Sequence, residues 1–352
     1  MTVIFERKKA GDRDDKWRSH EKVLYREIYL KSYTVKNESS ISIDIIRYIK
    51  KLDYDMFIVH GYSTFTAMIA IEYLSYKKIP FVISADGGLV SKNNRIKEAI
   101  KRHYIGAASA WLSTGELTTE YFIKYGAKKE KIFAYPFTSV KNCELCIPSS
   151  IEEKNQLRKK LKIKEKKVVL FVGQLIFRKG IDILLDDARR LDSLGAGILL
   201  VGGVPNNELK KTVKEYGLDN VHFISFKEKG ELQDYYRVAD IFVLPTREDI
   251  WGLVVNEAMA QGVPIVSTNR CVAAMTMIEN EKSGFIVKAE DSDELYEKMA
   301  VLLTDEQKRQ EFADYSYKIS FGYTIEKMAQ AHIKIFGELY NLFSQKNRRR
   351  KQ

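Results

Sequence analysis

Pro245-Thr-Arg-Glu-Asp249-Ile-Trp-Gly252-Leu-Val-Val-Asn-Glu257-Ala-Met-Ala-Gln-Gly262-Val-Pro-Ile-Val-Ser267 follows directly on the apolar run Ile241–Leu244. The run reads as a buried strand, the polar residues after it as a turn, and Leu253–Gln261 as an apolar helix closed by Gly262. In an open α/β sheet, ligands collect outside the carboxyl ends of the strands. A helix start there turns unpaired backbone N–H groups outward, here from about Trp251 to Val254, and these suit sugar hydroxyls or phosphate oxygens. Asp249 and Glu257 stand eight positions apart. If both lay on one helix, that spacing would bring them to one side, about two turns apart.

The same grammar extends outward. Short runs rich in Val, Ile, Leu and Phe recur at Lys167–Leu175, Ile198–Gly203, Val221–Phe226, Pro264–Thr268 and Gly284–Lys288, with helical patterns such as Ile181–Leu194 between them. Alternating strands and helices with short Gly- or Pro-marked loops indicate βα units around a parallel sheet. The first half repeats the theme, with strands expected at Thr2–Glu6, Met56–His60, Pro80–Ala85, Ala110–Ser113 and Lys131–Tyr135. Its expected helices are Ile41–Lys51, Thr64–Tyr76, Asn94–Tyr104 and Thr118–Tyr125. A chain of 352 residues is comfortable for two such domains. We place the first at residues 1–140, a hinge at 141–150, the second domain at 151–322, and a helix with a basic tail, bracing the first domain, at 323–352.

The quoted stretch resembles the E-x7-E region of the family 4 retaining glycosyltransferases, glycosyl transferases group 1, over the contiguous run Asp249-x-Trp-Gly-Leu-Val-x-Asn-Glu257-Ala-Met-Ala-x-Gly-x-Pro-x-Val. The resemblance is strong over Lys167–Lys288 and elsewhere rests on architecture. It implies a GT-B fold, two Rossmann-like doubly wound domains facing a cleft, and transfer of a hexosyl group from a nucleotide diphosphate sugar with retained configuration. It puts Glu257 on the ribose hydroxyls and Asp249, where Glu is usual, on hydroxyls of the donor sugar. Glu248 is the alternative first acid, at a spacing one residue too long. Trp251, Gly252 and Leu253 fall at the donor side of the helix start.

A second block, Phe171-Val-Gly173-Gln174-Leu-Ile-Phe-Arg178-Lys179-Gly180, ends a strand at Gly173 and sets a basic pair before the next helix. Charge and dipole suit Lys179, and secondarily Arg178, to a diphosphate. The family usually has Arg where Gln174 stands, which removes one phosphate contact. Gly202-Gly203 ends another strand where bulk would obstruct a ligand, and Phe226 lies where the family places the nucleobase. In the first domain His60 and Asp86 each follow an expected strand, on the acceptor side by the resemblance, and Asp86 is a catalytic candidate with Asp249 and Lys179. The family also has an opening strand, loop and helix before the point where this chain starts, so the first domain is read as lacking that βα unit.

The net charge of +11 is uneven: residues 1–140 hold 24 Lys and Arg against 16 Asp and Glu, the remainder 34 against 31. Such a balance suggests an anionic partner. In Ser91–Tyr104, Ile96, Ile100 and Tyr104 form a helical stripe flanked by Lys92, Arg95, Lys97, Lys101 and Arg102, the pattern of a helix lying on an anionic membrane surface, and the tail Lys346–Lys351 offers a second contact. The alternative is packing of that stripe on the first domain's sheet. No apolar window reads as a membrane span and the start does not read as a signal peptide, so a cytoplasmic, peripherally bound protein is expected. Cys143-x-x-Cys146 lacks a second ligand pair for zinc, and Cys271 stands alone. The triplets Asp12-x-Asp14, Asp53-x-Asp55 and Asp291-x-Asp293 follow no apolar strand, so neither a metal nor another cofactor is expected. The expected partners are a nucleotide sugar and a glycan or lipid-linked acceptor of bacterial surface polysaccharide synthesis. An epimerase or phosphorylase on the same fold, and a basic nucleic-acid-binding protein, are the alternatives. Against the last, no recognisable binding module interleaves the basic residues with aromatics.

Overall fold

The computed structural model describes residues 1–7, 24–36, 39–51, 54–90 and 94–351. Its contacts divide the chain into two compact units, Met1–Tyr135 with His332–Gln352, and Pro136–Ala331.

In the first unit β1 (Thr2–Phe5) pairs in parallel with β2 (Arg26–Tyr29), and β3 (Tyr33–Lys36) pairs antiparallel with β4 (Ser39–Ile41). After α1 (Asp44–Lys51) comes a parallel sheet of β5 (Phe57–His60), β6 (Phe81–Ser84), β7 (Ala110–Ser113) and β8 (Ile132–Ala134), in that spatial order. Its connections are α2 (Phe65–Tyr76), α3 (Arg95–Gly106) and α4 (Glu116–Lys124). Every residue of β6 and β7 is buried, as two covered faces require. Ile71, Leu74, Phe81, Ile83, Ile105, Trp111 and Phe122 form the core, and the Trp111 indole N–H is satisfied by the Ile105 carbonyl at 2.9 Å. The strands β2 to β4 were not anticipated. In β2 only Ile28 is buried, so Arg26-Glu27-Ile28-Tyr29 has too little apolar signal to register as a strand.

In the second unit α5 (Ile151–Leu161) starts at a Ser150–Glu153 capping box. The strands are β9 (Lys167–Val172), β10 (Ala196–Val201), β11 (Val221–Ile224), β12 (Ile241–Leu244), β13 (Ile265–Thr268) and β14 (Gly284–Val287). Between and after them come α6 (Ile181–Asp186), α7 (Ala188–Asp192), α8 (Asn207–Glu215), α9 (Lys229–Val238), α10 (Leu253–Ala260), α11 (Val272–Met277), α12 (Ser292–Thr304) and α13 (Glu306–Ser320); α14 (Ile325–Lys351) starts in this unit and from His332 onward belongs to the first. All six strands are parallel, in the order β11-β10-β9-β12-β13-β14. This is the doubly wound Rossmann order, and its reversal lies between β9 and β12. The single helix expected over Ile181–Leu194 is two, because the backbone flattens at Asp187 (φ −94°, ψ −1°). Segment 141–150 packs on the end of α10: the Cys146 N–H donates to the Ala260 carbonyl at 2.8 Å, and Gln261 Nε2 to the Glu144 carbonyl at 2.7 Å.

At the opposite end of this sheet the buried carboxylate of Asp240 gathers Lys154 (3.0 Å), Arg158 (2.8 Å) and the Val168 N–H (2.8 Å). One side chain thus fastens α5 to β9 and to the entry of β12.

Candidate active site

The second unit's site assembles where β9 and β12 diverge. Beyond β9 the chain passes Gly173 and Gln174 into a short turn, Phe177–Lys179; beyond β12 it passes Pro245 to Gly252. The two loops are stitched together. The Arg247 N–H and the Thr246 hydroxyl both donate to the Arg178 carbonyl, at 2.9 and 3.0 Å. The Arg247 guanidinium grips Asp182 with two bonds of 2.8 and 2.7 Å, holds Glu290 at 2.8 Å and lies 3.8 Å over the Phe177 ring. A bidentate pair stacked on an aromatic ring fixes geometry in a way Lys would not.

Two glycines set how closely these segments approach. At Gly180 (φ +69°) a β-carbon would lie 1.9 Å from the Pro245 carbonyl oxygen, and at Gly202 (φ +137°) 2.3 Å from that of Gly173. Gly203, by contrast, faces open space. Backbone clearance, rather than room for a ligand, accounts for glycine at 202.

Within this frame Lys179, almost fully buried, is ion-paired with Asp249 in a short contact. Arg178, more exposed, lies 4.0 Å from the same carboxylate and donates to the Glu248 carbonyl at 2.6 Å. Asp249 is therefore the acid that faces the basic pair, while Glu248 is exposed. The spacing argument from a shared helix needs correction. Asp249 is not helical: its backbone bridges to Arg270 and Cys271, and α10 begins only after Gly252, whose φ of +102° turns the chain. Asp249 and Glu257 accordingly meet different partners.

Glu257 projects from α10 into a half-buried environment where the Ser139 hydroxyl donates to Oε1 at 3.0 Å and the Tyr236 hydroxyl to Oε2 at 2.9 Å. Burial pushes its carboxyl above the ordinary value, against the opposing pull of Tyr236, Ser139 and the charge of Lys229. Trp251 is turned inward: its ring is buried edge-on to Phe137 and its N–H donates to Asn256 at 2.8 Å, so its side chain is packing. Gly252 could carry no β-carbon without meeting Cys271 Sγ at 2.7 Å. Leu253 opens α10, and Gln174 and Phe226 are partly buried beyond β9 and β11. Ser139, Tyr236, Arg247 and Cys271 were not singled out from sequence, since each acts through partners 20 or more residues away.

In the first unit the structure brings His60 and Asp86 together. His60 ends β5, shares a 3.0 Å hydrogen bond with Ser84 through Nδ1, and lies 3.4 Å from Asp86 through Nε2. The hydrogen bond that His60 donates to Asp86 raises the imidazole's pKa, with burial opposing and the Asp86 charge assisting. The following loop lies tight on the Tyr121 ring, where a β-carbon at Gly88 would meet it at 2.7 Å.

Other expectations resolve separately. Asp291 caps α12 and Asp293 pairs with Arg190, so that triplet is structural. Asp12, Asp14, Asp53 and Lys92 lie outside the described residues, as do the side chains of Lys346–Lys351. Among the described residues no group of three or more His, Cys, Asp or Glu is placed to hold a metal, and no helix is long and apolar enough to cross a membrane. On α3, Ile96 and Ile100 are 72% and 43% exposed, so they do not pack on the sheet. Tyr104 leaves the stripe to pack, partly buried, against the core, and Lys101 lies over the rings of Tyr121 and Tyr125, at 5.1 and 5.0 Å.

Comparison with known proteins bears on family and fold. The family model for glycosyl transferases group 1 matches residues 153–319. A Campylobacter jejuni protein, N,N'-diacetylbacillosaminyl-diphospho-undecaprenol alpha-1,3-N-acetylgalactosaminyltransferase, is 26% identical over 297 residues, 81% of this chain and 77% of the relative. Among solved structures, sucrose-phosphate synthase from Thermosynechococcus elongatus superposes with a TM-score of 0.75 at 18% identity, covering 97% of this chain and 89% of that one. Anabaena HepE in complex with UDP gives 0.70 at 19% identity, covering 84% and 81%. Residues 153–319 of the motif-bearing second unit thus match the glycosyl transferases group 1 family, and the chain shares the GT-B fold of these solved structures.

Proposed function

We propose that this glycosyltransferase moves a hexosyl group from a nucleotide diphosphate sugar to a lipid-linked or glycan acceptor, with retained configuration and without a metal. The observation that carries this reading is the clustering of Lys179, Arg178 and Asp249 at the strand-order reversal, with Glu257 on the adjoining helix. Lys179 and Arg178 neutralise the departing diphosphate. Asp249 receives hydroxyls of the sugar and Glu257 those of the ribose. The bond from the anomeric carbon to the diphosphate breaks as the acceptor oxygen attacks the same face, and the acceptor's proton passes to a diphosphate oxygen. His60 and Asp86 contact the acceptor. A polyprenyl diphosphate-linked acceptor, as named for the Campylobacter relative, suits a role in surface polysaccharide synthesis.

Glu257→Ala should weaken UDP or GDP binding by about 1.5–3 kcal/mol, the worth of hydrogen bonds to a charged group. Titration calorimetry measures it; unchanged affinity in a folded variant would remove the ribose role. Turnover with a panel of nucleotide sugars identifies the donor.

The exposure of Ile96 and Ile100 beside Arg95, Lys97 and Arg102 favours a peripheral position on an anionic membrane. Each cation near the surface contributes about 1 kcal/mol. Co-sedimentation with phosphatidylglycerol vesicles, absent with phosphatidylcholine and lost when Arg95, Lys97 and Arg102 become Glu, is the expected result. Equal binding to both lipids, or to neither, argues for a soluble acceptor.

A further inference from the structure

The carboxylate of Glu257 has a protein donor on each oxygen, from two segments far apart in sequence. A carboxylate oxygen accepts about two hydrogen bonds. With Ser139 on Oε1 and Tyr236 on Oε2, one acceptor position remains on each oxygen. Two neighbouring acceptors of this kind suit a vicinal diol donating two bonds, which is what a ribose presents and a 2'-deoxyribose does not. Ser139 is itself held: Lys229 Nζ donates to its carbonyl and to Glu144 Oε2, both at 2.7 Å. Tyr236 is anchored on α9 with its ring against Phe242, centroids 5.9 Å apart.

We infer that Tyr236 and Ser139 are positioning residues for the nucleotide, which orient Glu257 and keep it ionised so that it accepts both hydroxyls of a ribose. This rests on the reading of Glu257 as the ribose holder. The groups facing Glu257 are the hydroxyls of Tyr236 and Ser139, the ammonium of Lys229 and the carboxylate of Glu144. Burial and Glu144 favour the protonated acid, whereas the two hydroxyls and Lys229 favour the anion. The Tyr236 phenol, pushed far up by burial and by Glu257, stays protonated and remains a donor throughout the useful pH range. Nucleotide affinity should therefore fall as the pH drops through the Glu257 titration. Removing either donor should move that fall to higher pH.

The test is calorimetric titration of UDP and GDP from pH 5 to 8 with the wild-type chain, Tyr236→Phe, Ser139→Ala and Glu257→Gln. Tyr236→Phe keeps the ring on Phe242, so a purely structural role would alter thermal stability and leave the pH profile in place. The expected result is an acid limb displaced upward by about half a pH unit or more in Tyr236→Phe and in Ser139→Ala, with affinity at neutral pH weakened roughly tenfold in Tyr236→Phe. The wild-type chain should also prefer UDP or GDP over its 2'-deoxy analogue, a preference that shrinks in Glu257→Gln. If Glu257→Gln binds like wild type, or wild type binds neither nucleotide, the ribose reading fails and this inference fails with it. If Glu257→Gln loses affinity but Tyr236→Phe and Ser139→Ala keep the wild-type limb, the ribose reading stands and the inference is overturned. Should Tyr236→Phe not fold, Ser139→Ala alone decides between these outcomes.

Discussion

Lys179→Ala should lower turnover at saturating donor by about two to three orders of magnitude, the scale seen when one preorganised donor to a developing negative charge is removed. The ammonium group is almost fully buried, where its charge is poorly screened, and it is held in place by a glycine turn and by Asp249. In the proposed reaction the diphosphate gains charge as it leaves, so the loss should fall more on kcat than on donor affinity. The variant also leaves Asp249 without its principal partner, so folding must be checked first. Lys179→Arg should recover only part of the rate, because a planar guanidinium cannot replace a point charge in so confined a position. Wild-type kcat in a folded Lys179→Ala protein would exclude Lys179 from the reaction.

The second large effect concerns stability and lies at the other end of the same sheet. Asp240→Ala should destabilise the second unit by about 3–5 kcal/mol, because it strands Lys154 and Arg158 as buried cations without a counter-charge. The Val168 N–H loses its partner as well. Burial alone would raise the Asp240 carboxyl, but Lys154, Arg158 and the Val168 N–H outweigh it and hold the carboxyl below its ordinary value. The stabilisation is therefore complete above the unfolded-state value of about 3.9 and is lost as the pH falls through the lower folded-state value. Urea denaturation at neutral pH measures the loss, and repeating it toward pH 3 should narrow the gap between variant and wild type. A variant within about 1 kcal/mol of wild type at neutral pH would mean that the carboxylate does not fasten α5.

Much of this molecule was legible because its information is local. The apolar runs of β9, β10, β12 and β13 are short, buried on both faces and separated by turn residues, so their pattern specifies a parallel sheet. The segment Asp249–Glu257 carries enough identity to place both acids near a helix start. Long-range pairing was not legible. Nothing near Glu257 announces Ser139, which lies 118 residues away, and nothing near Asp249 announces Lys179, 70 residues away. The helical spacing of the two acids misled for a physical reason: a positive-φ glycine stands between them and ends the periodicity on which the argument depended. In the first unit, β2 exposes three of its four residues and so lacks the alternation that marks a strand. Likewise Tyr104 fitted an exposed stripe by spacing, yet it packs, partly buried, against the core that contains Ile105.

Gly180 and Gly202 bear on how such a sequence can drift. Each is fixed by a main-chain oxygen of another segment, and that oxygen cannot be mutated away. No compensating side-chain change opens the crossing; only a shift of an entire loop does. Gly203, one position further on, meets no such main-chain obstacle. Substitution scanning across this region would therefore find two silent columns. The silent columns would trace where the strands' exits cross, whatever sugar the enzyme comes to use.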